Sequence, residues 1–321
     1  MPSTETATRL RLGVSSCLLG ERVRYDGQHK LDHYIRDVLG QYADLVPVCP
    51  EVECGLPIPR PALRLVGDPE QPRLVVTKSG EDLTERMQSW ARQRLEALES
   101  EDLSGFIFKS NSPSSGMERV RVYSEHGMPT KQGVGLFARA FMERFPDLPV
   151  EEEGRLQDLE LRENFIERLF AVRRWQDFVA RDGSLGGLVE FHATHKLLLM
   201  SHSTEHYRGL GRLVAGGKAK PRAELLDEYR RGFIEALRLQ ATRRKHANAL
   251  YHAMGFVKEH LDSDAKVELT ELIEQYRTGV STLVVPLTLL NHYVRRVGND
   301  YLKSQWYLHP HPTELQLRNH A

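Results

Sequence analysis

The spacing of apolar residues changes character once along this chain, and that change limits the folds open to it. From residue 9 to about 150, short apolar runs alternate with helical patterns; from Leu159 onward only helical spacing is left. The first pattern is that of an α/β layer fold, and the second is that of an all-α fold. The expectation is therefore an α/β domain over residues 1–155 and an all-α helical C-terminal domain over residues 156–321. The acidic run Glu151–Glu153, followed by Gly154, reads as the boundary between them.

Within the first part, strands are expected at Arg11–Val14, Leu45–Val48, Arg73–Thr77, Gly105–Lys109 and Val120–Tyr123. Helices are expected at His33–Leu39, Leu83–Leu98 and Leu136–Arg144. In the second part helical spacing runs through Phe165–Val179, Leu185–Met200, Tyr207–Val214, Leu225–Leu261, Val267–Val280 and Leu287–Tyr301. Pro221 sits at a helix start. The tail from Trp306, broken by Pro310 and Pro312, reads as an extended strap.

Composition excludes several classes. The chain has 321 residues, 40% hydrophobic and 27% charged, as in a soluble globular protein. No apolar run is long enough to span a bilayer; the richest, Thr282–Leu290, contains Pro286. Met1–Arg9 is polar without a signal-peptide pattern, so a cytoplasmic protein with no membrane partner is expected. No feature sets an oligomeric state. The only three cysteines, Cys17, Cys49 and Cys54, lie in the first 54 residues, too few for a disulfide framework.

Three segments share one layout, a short apolar strand followed at once by a turn of small or reactive groups. They are Leu12–Gly20 with Cys17, Val46–Glu51 with Cys49, and Phe106–Gly116 with Ser112, Ser114 and Ser115. In a Rossmann-like parallel sheet, sites form where such turns leave the carboxyl ends of the strands. If these strands are parallel neighbours, Cys17, Cys49 and Ser115 converge. Two thiolates and a hydroxyl would select a soft metal or an iron–sulfur cluster; read alone, the cysteines could equally be buried small hydrophobes. Glu51, two residues after Cys49, is the candidate for general acid–base work, or else an arginine-paired carboxylate.

The stretches Ser15–Gly20 (Ser-Ser-Cys-Leu-Leu-Gly), Arg24–Gly27 (Arg-Tyr-Asp-Gly), Pro47–Val52 (Pro-Val-Cys-Pro-Glu-Val), Gly55–Arg60 (Gly-Leu-Pro-Ile-Pro-Arg) and Ser112–Gly116 (Ser-Pro-Ser-Ser-Gly) occur in order. As a set they resemble the thiouracil desulfurase (TudS-type) family over roughly residues 9–150. Residues 160–321 resemble the YbgA-like helical domain often fused behind it, through Val189–Lys196 (Val-Glu-Phe-His-Ala-Thr-His-Lys) and Thr242–His246 (Thr-Arg-Arg-Lys-His). Fused proteins of this type are similar to desulfidases acting on 4-thiouridine in tRNA. The resemblance implies a [4Fe-4S] cluster with one open iron, with Cys17 and Cys49 as two of its ligands. The third ligand position holds Ser115 where the family has cysteine. An inactive variant, oxygen ligation, or replacement by Cys54 would each account for it. Desulfuration needs a proton-transfer group near the base, for which Glu51 is the candidate. Ser112 and Ser114 could orient the base or water or be plain turn residues. Asp26 and Lys109 are weaker candidates for substrate contact that read more readily as structural.

Gly133–Ala138 reads as G-x-G-x-x-A before a helix, but without the strand that a dinucleotide site needs in front of it. The expectation is that the backbone N–H groups at Gly133 and Gly135 line the substrate pocket.

Residues 156–321 carry 24 Lys and Arg against 20 Asp and Glu, and 11 of the 14 histidines. Arg212, Lys218, Lys220, Arg222, Arg243, Arg244 and Lys245 are candidate contacts to RNA phosphates, with Tyr207, Tyr229 or Tyr251 available for stacking. A solvated face balanced by Glu224, Asp227, Glu228 and Glu235 is the bland alternative. His192 and His195 read as a hydrogen-bonded or RNA-contacting pair more readily than as zinc ligands. The partner expected is tRNA or a thiolated nucleobase. Two other functions stay open: a non-catalytic tRNA-binding protein, and a desulfurase of free 2-thiouracil.

Overall fold

The computed structural model describes residues 9–124 and 127–319; the polar stretch before Arg9 and the last two residues of the tail lie outside them. The chain divides into two compact units, with the division between Asp158 and Leu159.

The first unit is built on four parallel strands, β1 (Leu10–Ser15), β2 (Ala43–Val48), β5 (Gly105–Phe108) and β8 (Val150–Glu152), in the order β2-β1-β5-β8. Between them in sequence come α1 (Pro50–Glu53), β3 (Leu63–Val66), β4 (Arg73–Val76), α2 (Thr84–Glu99), β6 (Val120–Tyr123), β7 (Pro129–Gly133) and α3 (Leu136–Arg144). The strands β4-β3-β6-β7 form a second, mixed sheet. The chain leaves β1 for β2 on one side and returns to β5 on the other. That reversal opens a crevice at the carboxyl ends of the strands.

The core under the parallel sheet is aromatic. Phe106, Phe108, Phe137 and Phe141 are all at most 1% exposed, and Phe106 and Phe108 stack at 4.3 Å between centroids. Gly13 of β1 lies against the Phe106 ring, which occupies the space a Cβ would need.

Strand β8 shows that the acidic run Glu151–Glu153, read as the boundary, belongs to the sheet of the first unit. It pairs with β5 through Phe106–Val150, Ile107–Glu151 and Phe108–Glu152, and Glu151 and Glu152 are buried. Acids can stand there because each carboxylate is bonded. Glu151 accepts from the Arg155 Nε at 2.6 Å, and Glu152 accepts from the Met117 N–H at 2.7 Å. Glu153 takes both the N–H and the hydroxyl of Ser110 at 2.7 and 2.8 Å.

The second unit is helical: α4 (Leu159–Arg181), α5 (Leu185–Thr194), α6 (Lys196–His202), α7 (Thr204–Ala215), α8 (Arg222–Arg238), α9 (Arg243–Gly255), α10 (Ser263–Thr278), α11 (Val284–Val297) and α12 (Asp300–Lys303). Apolar spacing hid two breaks. Leu185–Met200 divides at His195, and Leu225–Leu261 divides at Leu239–Thr242, where Thr242 caps α9. The tail is a buried strap, held by Arg318 between Glu163 and Glu167 at 3.2 Å each. His192 bonds to the Tyr229 hydroxyl at 3.0 Å, and His195 to the Phe191 carbonyl at 2.7 Å and to Arg174 at 3.1 Å, so both are tied into the core. No helix among the described residues is long and apolar enough to cross a membrane.

Gly13→Ala tests the β1–β5 contact. Overpacking against a fixed buried ring should lower stability by roughly 1–3 kcal/mol, read as a lower urea midpoint at unchanged m-value; an unchanged midpoint would contradict the packing described.

Candidate functional site

Three adjacent parallel strands end on one side of the sheet, and the chain turns sharply at each end. After β1, Ser16–Leu19 makes one tight helical turn closed by Gly20 at φ 96°, and Cys17 is buried on it. After β2, Cys49 is the N-cap of α1, with Pro50 at the first helical position, where a missing N–H does no harm. After β5 comes the loop Lys109–Gly116, in which Ser114 and Ser115 are 1% and 4% exposed.

Burial dominates the cost of charging either thiol, and a Cys49 charge would add to that cost at Cys17. Burial pushes the Cys17 thiol up to about 11, against the pull of Lys109 and Arg24. Burial likewise pushes Cys49 up to about 11, although the Val52 and Glu51 N–H groups at the start of α1 favour its thiolate. Cys54 lies past the far end of α1, its Sγ donating to the Glu51 carbonyl at 3.3 Å and its side chain packed against the core of the second sheet.

Glu51 links the strand ends. One carboxylate oxygen pairs with the guanidinium of Arg60, whose side chain is 2% exposed. The other accepts from the Ser114 hydroxyl at 2.9 Å. The Ser112 hydroxyl lies 2.9 Å from that of Ser114 and accepts the N–H groups of Ser114 and Ser115 at 3.3 and 3.1 Å. Arg60 also donates to the Val23 carbonyl at 3.0 Å, the same carbonyl the Cys49 thiol faces at 4.0 Å. Arg60 was missed as a site residue; its signal was its place inside the Gly55–Arg60 stretch, which ends on a charge after four apolar residues and a glycine.

Several of the expected contact residues are engaged within the fold. Lys109 donates to Glu153, to the Ser110 carbonyl and to the Ser110 hydroxyl, which uses its three protons within the fold and leaves it a fixed charge near Cys17, the structural role that was open to it. Asp26 closes its own turn by accepting the Gln28 N–H at 3.1 Å. Gly133 lies in β7 across from Val120, and the Val122 side chain fills the space beside it. The N–H of Gly135 donates to the Gly116 carbonyl at 2.8 Å, that of Leu136 to Pro113 at 3.2 Å, and those of Phe137 and Ala138 to Ser114 at 2.9 and 3.2 Å. The G-x-G-x-x-A turn therefore binds the Pro113–Gly116 loop, not a substrate. A Cβ at Gly135 would stand 2.5 Å from the Ser114 carbonyl carbon, so glycine is required for the approach.

In the helical unit the basic residues do not form one surface. Lys218, Lys220 and Arg222 line a cleft of about 310 Å³, whereas Arg243 and Arg244 line a cavity of about 500 Å³. Lys220 pairs with Glu224 and Glu228, Arg222 donates to the Gly183 and Asp182 carbonyls, and Lys245 donates to the Gln240 carbonyl, so these three are engaged within the fold. Arg212 and Lys218 are exposed. Tyr229 is fully buried and cannot stack on a base; Tyr207 stacks on His192, and Tyr251 donates to Glu274.

The donor set fits an iron–sulfur cluster in part. A buried thiol and a half-buried one at adjacent strand ends suit iron, with cationic Lys109 and Arg24 to offset thiolate charge at Cys17. Position 115 supplies a hydroxyl, a hard donor of high pKa. Among the described residues no three His, Cys, Asp or Glu side chains stand together as a metal-binding group. A three-thiolate set is therefore not what these strand ends provide.

Raised thiol pKa values give a pH signature for the metal-free protein. Its folded form holds protons on Cys17 and Cys49 beyond the ordinary 9.0, up to about 11. The linked stability is thus complete below pH 9 and is lost as pH rises from 9 to 11. Native-state iodoacetamide labelling of both should be slow at neutral pH and accelerate through that window; fast labelling at neutral pH would contradict the burial described.

Comparison with known proteins follows the same division of the chain. A family model described as 2-thiouracil desulfurase matches residues 12–153, and one described as a protein of unknown function (DUF1722) matches residues 196–312. YbgA of Escherichia coli (strain K12) is 30% identical over 153 residues, 47% of this chain and 90% of that protein. YbbK of Bacillus subtilis (strain 168) is 36% identical over 108 residues, 32% of this chain and 71% of that protein. A solved structure of the [4Fe-4S]-dependent thiouracil desulfidase TudS is 32% identical, covering 49% of this chain and all of that one, at a TM-score of 0.39. The chain belongs to the 2-thiouracil desulfurase family, in the form that joins the TudS-type α/β domain to a YbgA-like helical domain.

Proposed function

We propose that the first unit removes sulfur from a thiolated nucleobase, 4-thiouridine in tRNA, and that the helical unit binds the RNA. The observation that carries this reading is the Glu51–Ser114 hydrogen bond, which ties a carboxylate and two serine hydroxyls to the strand ends bearing Cys17 and Cys49. The reaction is a hydrolysis: the thiocarbonyl carbon gains oxygen from water, sulfur leaves as sulfide, and no electrons are exchanged. Cys17 and Cys49 would hold the [4Fe-4S] cluster with Ser115 as its oxygen corner, and an open iron there would supply a soft Lewis acid for the thiocarbonyl sulfur.

The remaining work falls to the chain's own groups. The Ser114 hydroxyl, fixed by Glu51, orients the attacking water. Its proton passes through Ser114 Oγ to Glu51 Oε1, and the carboxyl returns it to the departing sulfide. Arg60 holds Glu51 in the geometry that reaches Ser114. Ser112 keeps Ser114 from turning away. Arg212, Lys218, Arg243 and Arg244, which make no ion pair among the described residues, would meet RNA phosphates.

Ser115 favours a second reading, a non-catalytic RNA-binding protein, because oxygen holds iron less firmly than thiolate does. Anaerobic reconstitution separates the two. The chain as it stands should retain a small fraction of the iron and sulfide, and Ser115→Cys should bring both to about four per chain. Ser115→Cys should also convert 4-thiouridine in tRNA to uridine, and in that background Glu51→Gln should slow conversion by roughly 10²–10⁴-fold at equal iron content. Activity on 2-thiouracil alone would point to the free base as substrate. No cluster in Ser115→Cys would overturn the assignment.

A further inference from the structure

The cavity of about 500 Å³ in the helical unit is of small-molecule size. It opens where the link after α8 meets the start of α9, with α4 and α10 on its other sides. Two of its features leave polar groups unspent within the fold.

The first is charge. Helix α9 begins with Arg243, Arg244 and Lys245 and has no acid in its first turn. Cations at a helix N-terminus oppose the macrodipole. Lys245 is turned away to the Gln240 carbonyl at 3.0 Å, but Arg243 and Arg244 line the cavity and make no ion pair or side-chain hydrogen bond among the described residues. The second is Tyr276. It is 5% exposed and lines the same cavity, and its hydroxyl bonds to no described residue. The hydroxyl is not among the buried polar atoms that lack a partner, so it reaches the cavity and is open to a ligand. It stands within the fields of Arg243 on one hand and of Glu160 and Glu163 on the other.

Glu160, which accepts from the Gln240 amide at 3.0 Å, and Glu163, which accepts from Arg318 at 3.2 Å, also line the cavity and give it carboxylate oxygens. Glu167 behind them is taken up by His202 at 2.5 Å and Arg318 at 3.2 Å. Burial pushes Glu163 up to about 7 despite Arg318, so an N–H donor brought to it would favour its charged form.

We propose that this cavity binds a single nucleotide, with the phosphate on Arg243 and Arg244, the N–H edge of a guanine-type base toward Glu160 and Glu163, and the Tyr276 hydroxyl between them. Guanine suits these carboxylates because its imino and amino groups both donate, and a carboxylate accepts two donors side by side. The nucleotide is either free or an unstacked residue of an RNA; both present the same chemistry. The site stands on the helical unit's own geometry and needs no desulfuration to be real.

Calorimetric titration of the full chain with GMP, guanosine and inorganic phosphate tests it. GMP should bind at least roughly tenfold more tightly than either fragment. The Arg243→Gln/Arg244→Gln double variant should lose GMP binding, and Tyr276→Phe should weaken it by roughly three- to tenfold at an unchanged circular dichroism spectrum and melting temperature. Phosphate binding equal to GMP would mean an adventitious anion only, and unaltered GMP affinity in Tyr276→Phe and the double variant would likewise overturn the proposal. Competition by tRNA for GMP would assign the site to RNA, and simultaneous binding would assign it to a free nucleotide. Desulfuration is read separately, so its failure with GMP binding intact would fall on the proposed function alone.

Discussion

The first unit depends on a single carboxylate. Glu51 holds the buried guanidinium of Arg60 with one oxygen and the hydroxyl of Ser114 with the other. Through Arg60 it reaches the Val23 and Tyr25 carbonyls of the turn after β1, and through Ser114 it reaches the loop after β5. Three strand ends that share no local sequence are thereby fixed to one another. A buried ion pair of this kind adds little net stability, because desolvation offsets attraction. Removing one partner is another matter, since it strands the other as an unpaired buried charge and costs about 3–5 kcal/mol. The pair is better understood as a device for position than as a source of stability.

The loop that Glu51 touches is held from two further sides. Four N–H groups at the start of α3 bind the carbonyls of Pro113, Ser114 and Gly116, and the Glu152 carboxylate of β8 takes the Met117 N–H. The N–H groups that would otherwise await an anion at a helix start are consumed by this loop. That explains how a dinucleotide-like glycine pattern occurs without a dinucleotide: the glycines permit backbone-to-backbone approach, and the approach sets where Ser112, Ser114 and Ser115 stand.

The strands carrying the site were legible because Leu10–Ser15, Ala43–Val48 and Gly105–Phe108 are apolar runs ended by turn residues, and their parallel adjacency follows from α/β alternation. Strand β8 was not legible, since Val150–Glu152 is mostly acid and its carboxylates are satisfied only by partners distant in sequence. The same holds for Arg60, which is unremarkable until Glu51 is beside it. The partner of Lys109 was not legible either, because Glu153, which occupies it, belongs to the acidic run read as the boundary. In the helical unit, spacing alone ran α8 into α9, because Leu239 continues the apolar period across a break that Thr242 caps. Tyr229 illustrates the limit of composition, as an aromatic beside arginines is a core residue there. The fold class and the convergence of three strand ends were open to reading; the hydrogen-bond partners that decide what each polar side chain does were not.

At the centre of this account is the claim that Cys17 and Cys49 serve one metal-binding locus whose third corner is the hydroxyl of Ser115. Cobalt(II) titration of the metal-free chain tests it most directly, because thiolate-to-cobalt absorption counts the sulfurs on one ion and binding must release the thiol protons. A single cobalt per chain carrying two thiolates is expected, with the band lowered by half or lost in both Cys17→Ser and Cys49→Ser, unchanged in Cys54→Ser, and strengthened by a third sulfur in Ser115→Cys. Two independent cobalt sites, or a band in Ser115→Cys no stronger than in the parent chain, would contradict it.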